Sequence, residues 1–104
     1  MDFDVAVIGG GSAGYASAST AQALGARVAI IDPGPLGGLC ILRGCMPTKT
    51  ILRSSDIMAL MRRAEEFGLQ PVDPHARLSA INDRKNKLIQ EFADYRIQQL
   101  QDSR

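Results

Sequence analysis

The sequence predicts an α/β fold whose front is one parallel strand–helix–strand unit, and three observations carry that reading. Two short apolar runs, residues 3–8 and 27–31, read as buried strands. Between them residues 12–24, rich in Ala, Ser and Gln, suit a helix of small side chains that can lie close against a sheet. Turn-forming residues close each element: Gly9-Gly10-Gly11 after the first run, Gly25 after the helix, and Asp32-Pro33-Gly34-Pro35 after the second run. Strand, helix and strand within roughly 30 residues make a βαβ unit with a right-handed crossover.

The next stretch, Gly37-Gly38-Leu39-Cys40-Ile41-Leu42-Arg43-Gly44-Cys45-Met46-Pro47-Thr48-Lys49, holds both cysteines of the chain. On a regular helix, residues five positions apart point about 140° away from each other and lie roughly 7.5 Å apart along the axis. A disulfide needs Cα atoms roughly 4.4–6.8 Å apart. A bridge therefore requires an irregular path from Cys40 to Gly44, with Gly44 supplying the bend. Pro47 suits a first helical turn. That places Cys45 at a helix N-terminus, where the positive dipole end favours thiolate over thiol. The plainer reading is a static staple or two small buried hydrophobes. A short loop gains little from closure, so a redox pair explains the Gly and Pro residues better.

Residues 47–67 read as a long helix, with Ile51, Met58, Met61 and Phe67 among its apolar positions and Gly68 at its end. Pro71, Asp73 and Pro74 mark a connector that also carries His75, read as a solvated loop residue. Residues 77–101 form one amphipathic helix by spacing, with Leu78, Ile81, Leu88, Phe92 and Tyr95 as a stripe expected to pack into the core.

At 104 residues the chain is at most one small domain. A net charge of +1 gives no sign of a nucleic-acid or membrane partner, and no apolar run approaches the length of a transmembrane helix. Charges are sparse up to Arg43 and dense from Arg53, which predicts a buried front half and solvated later helices. The start lacks the basic region of a secretory signal, so a cytoplasmic setting is expected, where a disulfide is usually catalytic.

Gly9, Gly10, Gly11, Ser12, Ala13 and Gly14 fit G-x-G-x-x-G directly after a strand and at the opening of a helix. Gly9 allows the tight turn, Gly11 the approach of a pyrophosphate, and Gly14 close packing of helix on strand. Phosphates would rest on the helix N-terminus from Ser12. Asp32 lies at the end of the second strand, where a carboxylate can accept from ribose hydroxyls. A structural glycine turn with Asp32 capping a loop is the bland alternative.

With the cysteine segment added, residues 3–49 resemble the flavoprotein disulfide reductases, the pyridine nucleotide-disulfide oxidoreductase family that includes dihydrolipoyl dehydrogenase, glutathione reductase and mercuric reductase. The resemblance implies a partial Rossmann-type FAD-binding βαβ unit (1–36), a redox-disulfide loop and helix (37–68), and a connector with a long amphipathic helix (69–104). It implies Cys45 as the sulfur nearest the flavin and Cys40 as the interchange thiol. It places Gly9, Gly10, Gly11, Ser12, Ala13, Gly14, Asp32, Gly38, Leu39 and Lys49 at cofactor-binding positions, with Lys49 close to the flavin N5 and Asp32 where the family usually has Glu. Electrons would pass from NAD(P)H through FAD and the cysteine pair to a disulfide, dihydrolipoamide-type or metal-ion substrate, and the full-length form would be a homodimer. No metal ligand set is expected.

Leu39 stands where the family commonly has Thr, and Leu42-Arg43 where it usually has Asn-Val. The family's NAD(P)H domain and its C-terminal domain with the catalytic His have no counterpart here, so the chain is expected to be an N-terminal part of a longer reductase, inactive alone. Two other readings compete. One is a catalytically silent binding or assembly module with vestigial cysteines; the other is an NAD-binding dehydrogenase domain with incidental cysteines.

Overall fold

The computed structural model describes residues 2–102. Its elements are β1 (Val5–Ile8), α1 (Ser12–Ala23), β2 (Val28–Ile31), α2 (Gly38–Leu42), α3 (Cys45–Arg62), a 3₁₀ turn (Ala64–Phe67) and α4 (Leu78–Asp102). The two strands pair in parallel, with Val5 opposite Val28 and Ile8 opposite Ile31. The α/β class and the βαβ start are as expected.

Local chemistry explains the unit. Asp4 and Arg27 pin the entrance of both strands: the Arg27 backbone N–H donates to Asp4 Oδ2 at 2.9 Å, and its Nε and Nη2 donate to the same carboxylate at 3.1 and 3.0 Å. Small side chains let α1 pack down on the pair, burying Ala18. Gly25, at φ +91°, ends α1 in a conformation that side chains rarely adopt.

The strands were expected to be buried, and they are not: Val5 is 38% exposed, Ile31 56% and Ile8 87%. One helix covers one face of a two-stranded sheet, which leaves the opposite face and both edges open. The expectation of a buried front half fails for the same reason. The buried apolar side chains among the described residues are Ala18, Ile41 and Ala93, and none of them is fully buried. The chain is correspondingly long, 67 × 26 × 18 Å, with a radius of gyration of 19.7 Å where a compact domain near this size has about 13 Å.

The cysteine segment is more regular than the disulfide argument required. Cys40 lies in α2, the break is confined to Arg43 and Gly44, and α3 starts at Cys45, two residues before Pro47. A Cβ on Gly44 would stand 3.1 Å from the Leu39 carbonyl oxygen, so the break is made where no side chain fits comfortably. The helix expected over 47–67 stops at Arg62. There Arg63 leaves helical geometry at φ −98°, ψ 13° and its guanidinium reaches forward to Glu66 at 2.8 and 3.0 Å, which favours the tighter 3₁₀ turn. Gly68 closes that turn in the left-handed region. The connector folds back, with the Val72 N–H donating to the Met61 carbonyl at 3.1 Å, and His75 is exposed as expected.

Helix α4 packs on α2 and α3, and Arg84 Nη1 donates to the Thr50 carbonyl at 3.2 Å. Its inward face is not the expected stripe. Ile81 and Leu88 are half-buried, but Leu78, Phe92 and Tyr95 are exposed, while Ile89, Ala93 and Ile97 turn inward. Apolar residues occur on two faces of α4, and the packed one contains Ala93, whose small side chain permits close approach. No helix among the described residues is long and apolar enough to cross a membrane.

Candidate functional site

The site forms where three chain segments meet: the glycine turn after β1, the first turn of α1, and the break between α2 and α3. Ile8, Gly9, Gly11, Ser12, Ala13, Gly14, Leu39, Cys40, Gly44 and Cys45 line one groove of 450 Å³.

Close backbone contact builds it. A Cβ on Gly14 would fall onto the Gly9 carbonyl, 2.9 Å from its carbon, so only glycine lets α1 start directly against the end of β1. A Cβ on Gly38 would stand 2.6 Å from Gly11 Cα, and Gly38 itself sits at φ +81°. Gly11 and Gly38 are therefore the joint that seats the cysteine segment on the glycine turn. Gly38 acts there as a spacer rather than as a groove wall.

Helix α1 follows Gly11, an N-cap with no side chain to bond, and has no acidic residue in its first turn. Its first N–H groups have no intrahelical partner and carry the positive end of the dipole, a set suited to an anion. Ser12 adds a hydroxyl. Leu39, 74% exposed, and Ile8, 87% exposed, add large apolar side chains to the groove lining.

Both cysteines are free thiols, Cys40 half-buried and Cys45 exposed. They are close enough to interact. The hydrogen bond with Cys45 is the largest cause pushing the Cys40 thiol above its ordinary range, with burial adding to it and the Lys49 charge opposing. Lys49 thus acts electrostatically on Cys40 from the first turns of α3, although it lies outside the groove lining.

Asp32 is placed differently from a simple ribose acceptor. Its Oδ2 accepts from the Gly10 N–H at 2.6 Å and its Oδ1 from the Gly34 N–H at 2.7 Å. These two bonds, the Gly10 one first, hold its carboxyl below the usual range. Asp32 and Gly10 stand outside the groove, and Asp32 instead lines a cavity of 810 Å³ between α1, β2 and the end of α4. Nearby, the Arg96 guanidinium stacks on Tyr15 at 4.2 Å. Sequence reasoning missed Ile8 as a groove wall; its place as the last strand residue before the turn was the available signal. Among the described residues no cluster of His, Cys, Asp and Glu could hold a metal ion.

A glycine turn of dinucleotide-binding form joined to a contacting thiol pair defines a redox-type α/β unit. The chain belongs to the pyridine nucleotide-disulphide oxidoreductase family, whose model matches residues 3–102. It is 33% identical to a dihydrolipoyl dehydrogenase of Bacillus subtilis over 92 residues, covering 88% of this chain and 19% of that protein. It is 35% identical over 101 residues to a mercuric reductase of Lysinibacillus sphaericus, covering 97% of this chain and 18% of the relative. A glutathione reductase of Yarrowia lipolytica is 44% identical over 72 residues, 69% of this chain and 15% of the relative. The chain thus spans less than a fifth of the length of each of these relatives.

Proposed function

We propose that this chain is the FAD-binding, redox-disulfide segment of an NAD(P)H-dependent oxidoreductase that delivers electrons through Cys40 and Cys45 to a small disulfide, lipoamide-type or metal-ion acceptor. The observation that carries the reading is the single groove shared by the glycine turn and both cysteines. The chain's own residues suit the dinucleotide. Gly11 leaves open the space a side chain would fill, and the uncapped α1 N-terminus offers N–H groups to a pyrophosphate. When bound, FAD supplies two-electron exchange between NAD(P)H and the dithiol. NAD(P)H itself is assigned to a domain outside this chain, and the full-length form to a cytoplasmic homodimer.

The cysteines then do ordinary thiol–disulfide exchange. The Cys40 thiolate attacks one sulfur of a disulfide acceptor, forming a mixed disulfide and releasing the first thiolate. Cys45 attacks Cys40 Sγ, closing the Cys40–Cys45 disulfide and releasing the second. The dithiol loses two electrons and two protons, and the acceptor gains them. Lys49 favours the Cys40 thiolate against the opposing pull of Cys45. The test is Cys45→Ser in the flavin-loaded full-length reductase, which should abolish disulfide reduction and leave flavin bound. Retained reduction would overturn the assignment of the pair.

A second reading, a catalytically silent assembly module, draws support from the solvent-facing Leu78, Phe92 and Tyr95 of α4. Light scattering decides it: a defined oligomer of the 104-residue chain that reacts with no disulfide would favour the module.

A further inference from the structure

Asp32 ties together the loops that follow the two strands. The short bond from the Gly10 N–H, 2.6 Å across 22 positions, lies at the strong end for a charge-assisted contact. It turns the N–H of the fingerprint's second glycine toward β2 and away from the groove that Gly9 and Gly11 line. On the other side, the Gly34 N–H holds the second carboxylate oxygen at 2.7 Å. The turn is also tightly set by its neighbours, with Gly9 at φ +100° and Gly11 against Gly38.

We infer that Asp32 is a positioning residue for the anion cradle: by holding the Gly10 N–H it fixes the turn so that the N–H groups at the start of α1 converge on the groove. Asp32 then serves the pyrophosphate of a bound dinucleotide through the backbone, not only its ribose by direct contact. The inference rests on the proposed dinucleotide reading of the groove.

Two consequences separate this role from the alternatives. Direct ribose recognition makes Asp32 matter only for ligands with a 2′,3′-diol. Plain electrostatics makes removal of the carboxylate charge strengthen anion binding. Positioning predicts that Asp32→Asn weakens every pyrophosphate ligand alike, because the amide nitrogen of Asn cannot accept from one of the two N–H groups.

The experiment is calorimetric titration of the 104-residue chain and of Asp32→Asn with ADP, 2′,3′-dideoxy-ADP and inorganic pyrophosphate. The expected result is a loss of about tenfold for all three, the size of one charge-assisted hydrogen bond. Gly10→Ala is the second variant, since its Cβ would stand 3.1 Å from Asp32 Oδ2 and press on the same contact without touching the charge. It should show the same uniform loss, and the double variant little more than either single one. A loss confined to ADP overturns the inference while leaving the dinucleotide reading intact, as does a gain for pyrophosphate in Asp32→Asn. Failure of the unsubstituted chain to bind any of the three overturns both.

Discussion

Two alanine substitutions three positions apart, at Gly11 and at Gly14, should fail in opposite ways. At Gly14 an added Cβ would stand 2.9 Å from the Gly9 carbonyl carbon, closer still to its oxygen, and 3.4 Å from Val7 Cγ1. Carbon–carbon contact is comfortable from about 3.5 Å, so α1 must retreat from β1 by more than ~0.6 Å, and Val7 blocks a sideways slide. Overpacking of this kind costs about 1–3 kcal/mol. In a domain near this size each kcal/mol moves the thermal midpoint by about 4–8 °C, so Gly14→Ala should melt at least ~4 °C below the unsubstituted chain. Gly11 is different: a Cβ there has Gly38 Cα at 3.8 Å as its nearest neighbour, an ordinary contact, and Gly11 has a permissive φ of −74°. Gly11→Ala should cost under about 1 kcal/mol in stability while projecting a methyl group into the cradle. Melting followed by circular dichroism, with ADP titration alongside, separates the two. Equal midpoints for the unsubstituted chain and Gly14→Ala would refute the packing argument, and undiminished ADP binding by Gly11→Ala would refute the placement of the groove.

Because contact with Cys45 is the main cause raising the Cys40 thiol, Cys45→Ala should move the pH midpoint of Cys40 alkylation by iodoacetamide downward, read by mass spectrometry. An unchanged or higher midpoint would contradict the contact. Asp32 and Asp4 are held below the ordinary carboxylate value of 3.8, by the Gly10 and Gly34 N–H groups and by Arg27 respectively. Each therefore contributes stability that is complete above the unfolded value and is lost as pH falls through the lower folded one. Urea midpoints between about pH 5 and pH 3 should fall more steeply for the unsubstituted chain than for Asp4→Asn/Asp32→Asn, and parallel curves would refute the assignment.

The sequence made the βαβ order, the glycine turn and the cysteine pair legible because each is written in local pattern: short apolar runs, obligatory glycines, and a proline just inside a helix. Burial was not legible. The apolar run at residues 3–8 reads the same whether or not other elements cover it, and Ile8 is 87% exposed because one helix covers only one face of two strands. In α4, spacing alone could not choose between two apolar faces; the small side chain of Ala93 decided the choice through packing. Asp32 was found by its position after β2, but its two backbone partners depend on how the Gly10 and Gly34 loops meet, which no spacing encodes. The joint between Gly11 and Gly38 was hidden for the same reason.

The glycine turn and the thiol pair line one groove and form one site. The most direct measurement is the rate of alkylation of Cys40 and Cys45 in the 104-residue chain with and without saturating FAD, resolved by peptide mass spectrometry. If the groove is shared, FAD should slow modification of the exposed Cys45 by about tenfold or more, on the scale of one kcal/mol or so of differential access, and Gly11→Ala should remove that protection. Bound FAD with both cysteines reacting at their unprotected rates would contradict the claim.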